Sequence, residues 1–200
     1  MEGLSVGLIR EVIISDGGSQ DRTCDIAEEA GCEIVQGAAS RGGQLARGAG
    51  SARGEWLLFL HADTMLEPGW STHVLAQMKT GASGYFKLRF DDPSFGAGWF
   101  AGWANLRARV FRLPYGDQGL LVSREVYEAS GGYPDIPLME DVALVRRLSG
   151  RLTPLAPTAT TSWARYERAG WLRRGAKNIT ILLRYLLGAS PERLAASYRK

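Results

Sequence analysis

The chain has 200 residues, 45% hydrophobic and 22% charged, with a net charge of +3. That length suits one domain with at most an appendage, and the composition excludes disordered, collagen-like and disulfide-stapled classes. No apolar run approaches the roughly 18 residues of a membrane span, the N-terminal MEGLSVGLIR lacks a signal peptide's order, and Cys24 and Cys32 show no metal-ligand spacing, which points to a reducing, cytoplasmic compartment.

Residues 11–15 (EVIIS) read as a strand that ends in Asp16-Gly17-Gly18-Ser19. Asp and Gly are ordinary turn formers, but a strand's carboxyl end is also where open α/β sheets place ligands. DRTCDIAEEAG predicts a helix with Ser19 or Asp21 near its N-cap and Gly31 past its end. CEIVQ is a short strand. The Gly-rich GGQLARGAGSARG keeps Leu45, Ala49 and Ala52 at helical spacing. EWLLFLHAD is the strongest strand, because 56–60 is continuously apolar, as in a strand covered on both faces. Pro68 suits the first turn of a helix reaching about Lys79.

In YFKLRF, Phe86, Leu88 and Phe90 alternate onto one face. Trp99, Trp103, Leu106, Val110 and Leu113 form a helical stripe. GLLVS is another buried strand, REVYEAS a short helix, and DVALVRRLSG a helix ending at Gly150. GWLRRGAKNITILLRYLLG and SPERLAASYRK predict two closing helices, the second capped by Ser190 with Pro191 at its first position. Strands alternating with helices predict an α/β domain, its sheet mostly parallel with helices on both faces. Charge is uneven along it: residues 163–200 carry a net +7 and the first 162 residues −4. Such a tail suits phosphate groups, a membrane surface or a solvated helix face.

Acidic residues fall at element ends: Asp16 and Asp21 after the first strand, Asp63 after the most buried one, Glu140 and Asp141 at a helix start. Each alone reads as a turn or cap residue. Together they describe a site in which a strand-end carboxylate, with His61 beside it, holds Mg²⁺ or Mn²⁺ together with a substrate's phosphates. A second acid meets ribose or base, and a third, at the helix start, acts as general base.

This combination resembles the family-2 glycosyltransferases of GT-A fold. VIISDGGSQDRT is similar to their nucleotide-binding segment, EWLLFLHADT to the strand carrying their metal-binding Asp-x-Asp, and GGYPDIPLMEDVALVRRL to their Glu-Asp acceptor segment. YGDQG at 115–119 and the C-terminal LGASPERLAASYR resemble the radical-SAM/selenodomain-associated bacterial subgroup. The resemblance implies an inverting transfer from a nucleotide-diphospho-sugar to an acceptor hydroxyl. It places Asp16, Gly17, Gly18, Asp21, Arg41 and Asp63 on the donor, with Arg41 at the diphosphate. Asp63 takes Mn²⁺ or Mg²⁺, and His61 stands where relatives carry the first Asp, as a softer ligand that favours Mn²⁺ or as a hydrogen-bonded loop residue that binds no metal. Asp141 is the base with Glu140 beside it, and Gln118 and Asp117 lie on the acceptor side.

The resemblance also implies departures. The family's first strand has no counterpart before Glu11, which leaves a sheet edge open to a second copy. Ala46 stands where relatives carry Asn, and Arg165 replaces an arginine pair. A catalytically impaired nucleotide-sugar-binding domain is therefore the alternative. A dinucleotide-binding enzyme is disfavoured because no G-x-G-x-x-G follows a strand, and nucleic-acid binding because no module for it is present. The division expected is a catalytic domain over 1–162 and a basic helical extension over 163–200. The helix at 170–188 either packs on that domain, the favoured arrangement, or lies on an anionic inner membrane near a lipid acceptor.

Overall fold

In the computed structural model, residues 2–199 are described, apart from the side chains of Arg165, Arg168, Ala169 and Arg199. The chain runs α1 (Glu2–Ser5), β1 (Ile13–Asp16), α2 (Thr23–Glu29), β2 (Glu33–Gln36), α3 (Arg41–Ser51), β3 (Trp56–Phe59) and β4 (Thr64–Leu66). Next come α4 (Trp70–Lys79), β5 (Ser83–Phe90), α5 (Phe95–Phe111), a 3-10 turn (Gly116–Gln118), β6 (Leu120–Ser123), α6 (Arg124–Ala129) and α7 (Glu140–Val145). β7 (Leu152–Thr161), α8 (Ala164–Ala169), α9 (Trp171–Leu186) and α10 (Pro191–Arg199) complete it.

The α/β class holds, but the sheet is more mixed than the sequence predicts. β1 and β2 pair in parallel as a two-stranded sheet, and five strands in the order β3-β6-β5-β7-β4 form the other. In the larger sheet only β5–β7 is parallel, whereas β3–β6, β5–β6 and β4–β7 are antiparallel. Between the sheets a cleft of about 810 Å³ separates residues 13–15 of β1 from residues 56–60 on and just after β3.

Helices cover both faces, and β6 shows how. Its Leu120 and Val122 join a core with Val142 and Leu144 of α7, Ile181 of α9 and Leu194 of α10. Leu121, pointing the other way by the two-residue period of a strand, packs with Trp70 and Val74 of α4. A third, aromatic cluster joins Leu88 and Phe90 of β5 to Phe100 of α5 and to Trp163. Trp163 and Tyr166 stack with their rings 4.9 Å apart.

Two segments depart from their sequence patterns. α7 stops at Val145 rather than continuing to Gly150, the Leu144 carbonyl accepting from both Arg147 and Leu148. On α5 the predicted stripe divides: Trp99, Leu106 and Val110 are exposed, Trp103 is half-buried and Leu113, just past the helix, is buried, while Ala97, Phe100, Ala104 and Ala108 are buried on the inner side. Small residues on that inner side let the helix lie close to β5.

Candidate active site

Two hollows meet at the carboxyl end of β3. The wide cleft is lined by Ser15, Gln44, Leu57 and Phe59, among others, and a smaller cavity of about 220 Å³ by Tyr115, Asp117, Asp141 and Tyr166. Arg41, His61, Asp63 and Glu140 border both. Three elements bring them there. The strand β3 delivers His61 and Asp63 just past its end. The helix α3, capped by the Ser40 hydroxyl that accepts from the Gly43 N–H, presents Arg41 at its first position. Glu140 and Asp141 open α7 behind Met139, a non-glycine residue held at φ 68°. Such a left-handed residue costs on the order of 1–3 kcal/mol and persists where its surroundings over-determine it.

Glu140 is buried, and the Arg41 Nε donates to its Oε1 at 2.9 Å. Its Oε2 has no hydrogen-bond partner among the described residues. Burial first, and the Asp141 charge second, raise its pKa to about 7, with Arg41 opposing. The Asp141 Oδ2 accepts the Gly116 N–H at 2.9 Å and its Oδ1 the Val142 N–H at 2.7 Å. Asp117 is pushed up by burial, Arg107 and His61 opposing, and its Oδ1 lacks a hydrogen-bond partner among the described residues. Gly116 lets the 115–119 segment close on the site: a Cβ there would stand 2.3 Å from the His61 Nε2.

Carboxylates converging with the Arg41 guanidinium and the His61 imidazole at the junction of two hollows suit a reaction between two bound molecules. The model for glycosyl transferase family 2 matches residues 7–123, more than half of the chain. The chain belongs to glycosyl transferase family 2. Among solved structures this family 2 member is similar to S. aureus TarS 1-349 in complex with UDP, at 15% identity and a TM-score of 0.58, over 76% of this chain and 51% of that one. It is similar also to glucosyl-3-phosphoglycerate synthase from Mycobacterium tuberculosis with Mn²⁺, UDP and glucosyl-3-phosphoglycerate, at 19% identity and a TM-score of 0.50, over 78% of this chain and 60% of that one. The same enzyme with Mn²⁺ and UDP-glucose matches at 20% identity and a TM-score of 0.51, over 74% and 59%. The chain therefore spans between half and three-fifths of those proteins, and the likeness establishes a GT-A fold. No curated protein sequence matches it.

The expected site residues of this family 2 chain divide. Arg41, His61, Asp63, Asp117, Glu140 and Asp141 come together. Asp16 ends β1 beside Ser15, with its carboxylate accepting from the Gly18 N–H at 2.8 Å and the Ser19 hydroxyl at 2.5 Å. Those bonds, the Ser19 hydroxyl foremost, hold it below the usual carboxylate range. Asp21 is exposed and accepts from the Thr23 N–H and hydroxyl. Arg41, expected at a diphosphate, is engaged with Glu140 and remains half-exposed.

Gln118, expected on the acceptor side, is instead fully buried behind the site. Its Nε2 donates to the Phe86 carbonyl and Asn105 Oδ1, each at 3.3 Å, and its Oε1 accepts from the Tyr115 N–H. It braces the 115–119 segment. The Arg165 side chain lies outside the described residues.

Sequence reasoning missed the far wall. Tyr166 and Arg174, with Asn178 and Tyr198, bring α8, α9 and α10 to the smaller cavity. The Asn178 amide ties two of them, donating to the Tyr166 hydroxyl at 3.4 Å and accepting from the Tyr198 hydroxyl at 3.1 Å. The only signal for these was their spacing on the closing helices, which a buried face explains equally well.

No group of three or more His, Cys, Asp or Glu able to hold a metal occurs among the described residues. The His61–Asp63 corner instead offers a partial set of donors. That suits Mg²⁺ or Mn²⁺ taken together with phosphate oxygens of a ligand, the usual mode for Mg²⁺.

Proposed function

We propose that the chain transfers a sugar from a nucleotide-diphospho-sugar to an acceptor hydroxyl, inverting the anomeric carbon. The observation that carries this reading is the meeting of Asp63, Asp117, Glu140 and Asp141 with Arg41 and His61 where the two hollows join. The donor lies in the β1/β3 cleft, its base and ribose by the Asp16-Gly17-Gly18 turn and its diphosphate at Arg41. UDP in the solved relatives makes a UDP-sugar the first donor to try. His61 and Asp63 would hold Mn²⁺ or Mg²⁺, which would supply positive charge against the departing diphosphate.

The acceptor enters the smaller cavity. Asp141, held by the Gly116 N–H, takes the hydroxyl proton as the acceptor oxygen bonds to the anomeric carbon and the bond to the diphosphate oxygen breaks. One displacement inverts the configuration. Burial raises Glu140 to about 7, so it exchanges its proton near neutral pH, and Arg41 supports the leaving group electrostatically.

Residues 1–162 supply these groups and 163–200 the acceptor-side wall. The YGDQG and C-terminal motifs favour the radical-SAM-associated subgroup. Cationic α9 gives the enzyme a contact with the cytoplasmic face of an anionic membrane, and the free edges of β1 and β3 give it one with a second copy. Sedimentation with phosphatidylglycerol vesicles and with the protein alone tests those two contacts.

For the reaction itself, turnover of a nucleotide-sugar panel is compared between the wild type and Asp141→Asn. The variant should lose roughly 10²–10⁴-fold in kcat, the usual worth of a general base, with donor binding kept. Undiminished turnover would remove Asp141 from that role. Nucleotide binding without any turnover by the wild type would make the chain a binding domain.

A further inference from the structure

A third hollow of about 270 Å³ lies between α5 and α9, and nothing in the reaction described above uses it. Its wall is made by Phe100, Trp103 and Ala104 of α5 and Ile179, Leu182 and Leu183 of α9, among others. Arg107 and Asp117 are the acidic or basic side chains on it among the described residues. Arg107 is already engaged, its guanidinium 3.4 Å from the Tyr115 ring centre and its Nε donating to the Leu113 carbonyl at 3.0 Å. Protein interiors pack closely and leave few voids larger than a water molecule. Away from the end it shares with the smaller cavity, its apolar wall offers ordered water few partners.

Two observations say what fills it. First, the hollow continues the acceptor cavity: Tyr115, Asp117, Tyr166 and Asn178 line both. Second, its surroundings are apolar and cationic. Trp99, Leu106 and Phe111 on α5 and Leu172 and Leu186 on α9 are exposed, and neither helix carries an acid, while α9 has Arg173, Arg174, Lys177 and Arg184.

We infer that the α5/α9 hollow receives the hydrocarbon chain of a membrane amphiphile whose hydroxyl head lies at Asp141, so that the acceptor is a lipid. This rests on the transferase reading above and specifies its acceptor class. The volume holds roughly nine groups of about 30 Å³, the share of one water molecule, and so a chain of about that many methylenes. Phe111, Leu183 and Leu186 line the hollow and are also exposed, so apolar surface runs from it to the outside, and the basic side chains of α9 suit lipid phosphates.

The test titrates the full chain with n-alkyl β-glucosides from methyl to decyl, each below its micelle concentration, by calorimetry. Affinity should rise roughly fourfold per methylene, from the free energy of burying each one, and level off near nonyl. Ile179→Trp, which fills the hollow, and Leu183→Glu, which charges its mouth, should each abolish the chain-length dependence. Both positions are partly exposed, so the fold should tolerate them. Leu106→Lys, exposed on α5 outside the hollow, should retain it. Affinity independent of chain length would overturn the inference, and so would a dependence that survives both variants. UDP titrated into the same samples reports the donor cleft separately. If UDP binds and chain length has no effect, the lipid inference alone fails. If chain length matters and no nucleotide binds, the transferase reading fails and the chain-binding hollow stands.

Discussion

Glu140 is the residue on which the site's electrostatics turn. Burial and the neighbouring Asp141 raise it to about 7, although Arg41 lies 2.9 Å away. Its folded pKa thus lies above the ordinary 4.5, so the folded state binds the extra proton between those values. By linkage, stability falls as pH rises through that window and the cost is complete above about 7. Replacing Glu140 with Gln should flatten that decline, read as the urea midpoint from pH 4.5 to 7.5. A slope as steep in the variant as in the wild type would place the titration elsewhere. The same residue scale shows what sequence can hide. The acids at strand and helix ends were legible because turns and caps reach sheet edges. Gln118 was not: in a three-residue turn, one residue decides between the cavity and the core, and the buried partners Asn105 and Phe86 decide it.

At the scale of elements, the site depends on how closely α3 approaches the segment before α7. A Cβ on Gly42 would stand 1.8 Å from the Pro134 carbonyl oxygen, which is backbone and cannot turn aside. Gly→Ala inside a helix ordinarily adds about 1 kcal/mol of stability. Gly42→Ala should instead lower the melting temperature and, by shifting α3, weaken the Arg41–Glu140 pair. A raised melting temperature would show that the contact has slack.

The elements most legible in sequence were those with strong local signals, such as apolar β3 and the Ser190-Pro191 start of α10. β7 was not legible, because Pro154 and Pro157 argue against a strand inside a sheet. The structure accommodates them at a bulge, where pairing jumps from Tyr85–Pro154 to Lys87–Thr158. The apolar stripe of α5 was legible as a stripe, but what covers it was not. Helical spacing marks an apolar face without saying whether this chain or a ligand covers it.

For the whole molecule, the closing helices are part of the core rather than an attachment to it. Ile181 and Leu194 are buried with Leu120, Val142 and Leu144, and the wall of the smaller cavity includes Tyr166 and Tyr198. A chain ending at residue 162 should therefore lose its cooperative thermal transition, whereas a sharp melt close to that of the full chain would make 163–200 a true appendage.

As proposed above, the junction of cleft and cavity is a nucleotide-sugar site. Its most direct test is the thermal melting of the full chain with UDP, GDP, dTDP and their sugars, each with and without Mn²⁺. A nucleotide at about 100 times its dissociation constant adds roughly 2.7 kcal/mol. One nucleotide should produce such a shift, strengthened by Mn²⁺ and reduced in Asp63→Asn. A well-folded protein whose melting no nucleotide moves, with or without metal, would contradict it.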